Sequence, residues 1–168
     1  MIILVAGLPG SGKSYFAVKL AVRLGGTYIS SDKVRKALDA LGKYSLKNKM
    51  AVYIEMVKMT NRFLMDQKTV VVDATFYLNS MRTLFYKLAQ KHKSEIHLLY
   101  IKANETLIKE RLSKPRQDSE ADFKVYEQIR DQFQDITLAH LKLESTNENV
   151  TSMVNKAIGY IESVHERK

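Results

Sequence analysis

Apolar positions recur along this chain in two rhythms. Residues 2–6 (Ile-Ile-Leu-Val-Ala) form a short continuous apolar run, as expected of a strand buried on both faces. Shortly afterwards Tyr15, Phe16, Val18, Leu20, Ala21 and Leu24 recur at helical spacing, and Gly25-Gly26 ends that helix. The two rhythms then alternate. Further strands are predicted over residues 27–30, 68–73, 95–101 and, with a fainter pattern, 140–143. A long helix is predicted from about residue 44 to 65. It carries Leu46, Met50, Tyr53, Val57 and Leu64 in one apolar row and Val52, Met56, Met59 and Phe63 in a second. Two rows suit deep burial, or one row lining a cleft. Strands separated by helices predict an α/β fold of three layers, a doubly wound parallel sheet of about five strands. There is no internal repeat or proline-rich linker, so residues 1–168 read as a single domain.

In such sheets ligands bind outside the carboxyl ends of the strands. Gly7, Ser31-Asp32 and Asp73 all fall there. The first of these ends carries the chain's strongest motif. Gly7-Leu8-Pro9-Gly10-Ser11-Gly12-Lys13-Ser14 satisfies G-x-x-x-x-G-K-[ST] in full, with a strand before it and a helix after it. Glycines at 7, 10 and 12 let backbone N–H groups turn inward around an anion, and the helix N-terminus adds its positive end. Lys13 is expected on the β- and γ-phosphates and the Ser14 hydroxyl on Mg²⁺. Gly7, Gly10, Ser11, Gly12, Lys13, Ser14 and Tyr15 are the expected cofactor-binding stretch. The expected cofactor is a nucleoside triphosphate, ATP, with magnesium, and the fold type is that of P-loop NTPases and kinases.

Composition narrows the chemistry. The chain has no cysteine, which removes disulfides, thiolate catalysis and cysteine-bound zinc. Its four histidines show no metal-ligand spacing. No apolar run reaches the ~20 residues of a membrane span, and the first strand is too short for a signal peptide, so a soluble cytoplasmic protein is expected. The net charge of +9 is uneven. Residues 30–62 hold eight Lys/Arg against three Asp/Glu, a net of +5, and residues 117–150 hold three against eight, a net of −5. The basic stretch suits either an anionic partner or a solvated lysine-rich face.

The remaining candidates follow the strands. Ser31 or Asp32 suits a helix cap, and Asp32 equally suits a general base facing the terminal phosphate. Arg35, one turn later, suits an anionic acceptor group. Asp73 suits magnesium, held through water, or the orientation of the acceptor, and Thr75 suits either contact or a turn cap. Arg82 reads as a surface residue or as a contact to an acceptor phosphate. Arg111 and Arg116 flank Pro115 in a charged stretch that interrupts helix. This reads as a short mobile lid near residues 113–120 whose arginines close over the triphosphate. Ser145-Thr146-Asn147 joins the last strand to the last helix; Thr146 or Asn147 suits the cap of that helix, and the join suits the border of the nucleotide base.

Taken together, "GLPGSGKS", "ISSDKVRK", "VVVDATF…R" and "RLSKPR…SEAD" resemble the phage-type polynucleotide 5′-kinase branch of P-loop kinases, over roughly residues 1–134. The resemblance implies Lys13 and Ser14 as phosphate and magnesium contacts, Asp32 as general base and Arg35 as a contact to the acceptor's phosphate. It implies Asp73 and Arg82 on the acceptor side and Arg111 and Arg116 near the triphosphate. Nothing in the chain matches the phosphatase domain of the characterised kinase, so only phosphorylation is implied. The expected activity is transfer of the γ-phosphate of ATP to a hydroxyl, with a nucleic-acid 5′-OH as the favoured acceptor. A small-molecule hydroxyl (sugar, nucleoside or antibiotic) is the alternative. A low-turnover nucleotide-binding switch is a third reading, against which the Asp32/Arg35 pair speaks.

Overall fold

The computed structural model of the chain describes residues 1–43, 45–114 and 122–165. Its elements run β1 (Ile2–Ala6), α1 (Lys13–Arg23), β2 (Thr27–Ser30), α2 (Ser31–Ala37), α3 (Leu46–Met65), β3 (Val70–Asp73), α4 (Asn79–His92), β4 (Ile96–Lys102), α5 (Glu105–Leu112), α6 (Phe123–Asp131), β5 (Leu141–Glu144) and α7 (Val150–His165). The five strands form one parallel sheet in the order β2-β3-β1-β4-β5. The first strand is therefore central, and every residue of β1 is buried. That is why it reads as an unbroken apolar run.

Alternation along β1 divides the core. Ile2, Leu4 and Ala6 pack on one face with Val52, Tyr53 and Met56 of α3 and Met81 and Phe85 of α4. Ile3 and Val5 pack on the other with Phe16 and Leu20 of α1 and Ala157 and Ile161 of α7. The long helix α3 mixes its two apolar rows: Val52, Tyr53, Met56, Thr60 and Leu64 are buried, whereas Leu46 is 58% exposed. Buried Thr60 meets its own need by donating its hydroxyl to Met56 O at 2.8 Å. Among the described residues no helix is long and apolar enough to cross a membrane.

Candidate functional site

The phosphate loop joins β1 to α1. Gly12, the residue before α1, has φ 88°, a left-handed conformation that a β-carbon strains. Gly7 is required by proximity, since a β-carbon there would lie 2.5 Å from the Ile101 carbonyl oxygen. Lys13 and Ser14 open α1, where the unbonded N–H groups of the first turn face the loop.

Strand register brings the distant candidates together. Asp73, the last residue of β3, pairs with Val5 on one side and Ser30 on the other. It thus lies between the phosphate loop and the start of α2. Asp73 is buried, 2% exposed. One oxygen, Oδ2, accepts a 2.8 Å hydrogen bond from the Tyr28 phenol, while the buried Oδ1 has no hydrogen-bond partner. Burial, followed by the charge of Asp73, pushes the Tyr28 pKa far above the ordinary tyrosine value, so this phenol stays a donor. Ser11 Oγ in the loop is likewise buried without a partner.

Asp32 lies in the first turn of α2, whose N-cap is Ser30. The cap position is thus held by Ser30 and by neither Ser31 nor Asp32. Arg35 is on the same helix, half-buried, and its Nη1 donates to Lys43 O at 3.2 Å.

The loop after β3 is tightly held. Phe76 is buried with φ 49°, a conformation that costs a bulky residue about 1–3 kcal/mol. Its N–H donates to the Tyr53 phenol oxygen at 3.0 Å, and its carbonyl accepts from Arg82 Nη1 at 3.1 Å. Its ring sits edge-on to Tyr53 and to Phe85, with centroids 5.4 Å apart in each case. Burial pushes the Tyr53 pKa up to about 12. The Tyr53 phenol also meets Thr75 Oγ1 at 3.4 Å, and the Thr75 carbonyl accepts from Gly7 N at 3.4 Å. Thr75 is therefore a link between the phosphate loop and α3.

Arg82 is not a surface residue: it is 2% exposed. Its Nη2 donates to Asn79 Oδ1 and to the carbonyls of Gln134 and Asp135, at 2.6, 3.0 and 2.9 Å. With Phe76 O on Nη1, the guanidinium pins the segment after α6 to the loop after β3. Replacing it with methionine, Arg82→Met, is expected to lower unfolding stability by about 2–4 kcal/mol, because three carbonyls lose an interior donor. A denaturant titration reads this, and a change below about 0.5 kcal/mol would count against the clamp.

Arg111 lies in the last turn of α5, inside the helix and not beyond it. Its Nη1 donates to Gly10 O and Ser145 Oγ, both at 3.2 Å, and its Nη2 to Thr146 O at 2.9 Å. Asn147 Oδ1 accepts from both Nε and Nη2, at 3.3 and 3.1 Å. One guanidinium thus ties the phosphate loop to the join between β5 and α7. A cavity of about 370 Å³ opens beside it, lined by Gly10, Gly12, Tyr15, Arg111, Thr146 and Asn147. Asn147 is engaged by Arg111, and the residue immediately before α7 is Asn149. Most of the expected lid, including Pro115 and Arg116, lies outside the described residues.

The oxygens present suit magnesium. Ser14 and Asp73 offer one hydroxyl and one carboxylate oxygen, both hard ligands, beside a phosphate loop. Among the described residues no group of three or more acidic or histidine side chains could hold a metal by itself.

Sequence reading missed Tyr28, and it read Tyr53 only as an apolar position of α3. For Tyr28 a signal existed: it alternates onto the same strand face as Ser30.

A family model described as an AAA domain, AAA_33, matches residues 2–136. The fold is similar to that of a gluconokinase from Sinorhizobium meliloti 1021, with a TM-score of 0.75 and 15% identity over 99% of this chain and 93% of that one. It is similar to the Mycobacterium tuberculosis APS kinase CysC, solved with AMPPNP and APS, with a TM-score of 0.73 and 18% identity over 96% of each chain. It is also similar to Chaetomium thermophilum Kti12, solved with ADP-AlF3, with a TM-score of 0.72 and 21% identity over 94% of this chain and 97% of that one.

Proposed function

The chain belongs to the AAA_33 family of AAA domains, and from that premise we propose that it is an ATP-dependent kinase of a small-molecule hydroxyl. The observation that carries this reading is the register at Asp73. Because Asp73 pairs with both Val5 and Ser30, the phosphate loop and the first turn of α2 stand on either side of one buried carboxylate. A nucleotide switch has no need of Asp32 there, whereas a kinase needs an acceptor base. The kinase names of two of the structural neighbours support the same reading.

The roles follow from position. Lys13 and the loop N–H groups hold the β- and γ-phosphates. Ser14 and Asp73 hold magnesium, which when bound neutralises charge on the transferring phosphate. Asp32 takes the acceptor's hydroxyl proton while the acceptor oxygen bonds to the γ-phosphorus and the bond to the bridging oxygen of ADP breaks. Arg35 binds an anionic group on the acceptor. Arg111 borders the nucleoside cavity with Tyr15 and holds the loop in shape. Arg82 acts through the fold, and Thr75 through the loop contact to Gly7.

The polynucleotide acceptor favoured by the sequence has little support. None of the three structural neighbours above is named as a polynucleotide kinase. The basic stretch is also divided, with Lys33, Arg35, Lys36 and Lys43 before α3 and Lys47, Lys49, Lys58 and Arg62 spread along it. Lys58 and Arg62 stand about 16 and 23 Å along the helix from Lys47 at 1.5 Å per residue, and Lys58 is paired with Glu55 at 3.1 Å. The test is transfer of labelled γ-phosphate from ATP to sugars, sugar acids, nucleosides, nucleotides and 5′-OH oligonucleotides. Transfer to a small molecule is expected. Labelling of oligonucleotides alone would overturn the small-molecule acceptor, and ATP turnover without any acceptor labelled would overturn the kinase reading.

A further inference from the structure

We infer that Tyr28 is a positioning residue of the phosphate site: its phenol holds one oxygen of the Asp73 carboxylate and so decides which oxygen of Asp73 faces a divalent cation. The inference rests on the kinase reading above, through Ser14 and Asp73 as the magnesium-side residues.

Tyr28 lies on β2, at the sheet edge, and pairs with Val71, two residues before Asp73. In a parallel pair the side chains of Tyr28, Val71 and Asp73 share one face, so a phenol can reach diagonally to Asp73. It donates to Asp73 Oδ2 at 2.8 Å. A phenol has one hydrogen to give and lone pairs to accept with. That hydrogen is given to Asp73. Asp73 has Oδ2 on Tyr28 and its buried Oδ1 without a partner. The carboxylate is thus left with one acceptor oxygen for a ligand, and one side chain orients it. The Lys33 ammonium lies 5.3 Å from the ring centroid and steadies the ring from α2.

Partners that orient metal-side oxygens typically change metal affinity about 10–100-fold when removed. A plain tie between two strands would not. The probe is Mn²⁺ with ADP, a pair that cannot turn over, with free Mn²⁺ read by electron paramagnetic resonance on the full chain. Tyr28→Phe keeps the ring and removes only the hydroxyl. Its Mn²⁺ dissociation constant in the ADP complex is expected to rise about 10-fold or more, while ADP affinity in chelator stays within about twofold of wild type, since only the cation contacts change. In Asp73→Asn the further change Tyr28→Phe should add little, because the phenol acts largely through that carboxylate. Unaltered Mn²⁺ affinity in Tyr28→Phe, or full additivity in the double variant, overturns the positioning role. So does a Tyr28→Phe chain that fails to fold, which assigns the phenol to the sheet instead. A wild-type chain that binds neither ADP nor Mn²⁺ with ADP would overturn the proposed function and this inference together. Wild-type binding with an unchanged Tyr28→Phe overturns the Tyr28 role alone.

Discussion

Lys13→Ala is expected to abolish phosphate transfer and leave the fold standing. Lys13 is the first residue of α1, and among the described residues no hydrogen bond or ion pair engages its ammonium. The helix starts through backbone contacts, since Phe16 N donates to Gly12 O at 3.1 Å whatever side chain stands at 13. Alanine is also the best helix former, so the substitution costs α1 nothing in propensity. What disappears is a full positive charge aimed where charge moves during transfer. Loss of one preorganised donor in such a site costs about 10²–10³-fold, and loss of a charged one is expected at or beyond the upper end. The measurements are single-turnover transfer of labelled phosphate and a thermal melt. Wild-type turnover in Lys13→Ala would remove the phosphate loop from the reaction, whatever the melt shows.

Asp32→Asn is the second large effect, and it separates chemistry from binding. Asp32 is in the first turn of α2, where a carboxylate gains about 0.3–1 kcal/mol from the helix dipole. Asparagine forfeits that charge and keeps the shape. The cap of α2 is Ser30, so no cap is lost. Transfer is expected to fall by roughly 10²–10⁴-fold, the range for loss of a general base, with nucleotide affinity nearly unchanged. If Asp32→Asn transfers phosphate at the wild-type rate, the base is another residue. If nucleotide affinity collapses with the rate, Asp32 belongs to the nucleotide side of the site.

The two predictions draw on different kinds of information. The phosphate loop was legible because its eight residues are contiguous, and its conformation is set by local demands: a positive φ at Gly12 and a close approach at Gly7. The strands were legible for a similar reason. The unbroken apolar runs at residues 2–6 and 70–72 report burial on both faces, as in a sheet interior. Arg82 was illegible, because its position in the first turn of α4 suits solvent as well as core. It turns inward because four partners, from Phe76 to Asp135, wait where α4 meets the segment after α6. Arg111 read as a lid residue for the same reason: spacing places it on a helix end, but only the fold puts Gly10, 101 residues earlier, within 3.2 Å.

The sequence by itself determined a parallel α/β sheet with a phosphate-binding loop at the end of its first strand, because spacing and glycine placement act within a few residues. The tertiary structure alone decided which strands are neighbours. The order β2-β3-β1 sets Tyr28 diagonal to Asp73 across 45 residues and puts both beside the loop. Pairing of that kind depends on how crossover helices pack, and no periodicity along the chain records it.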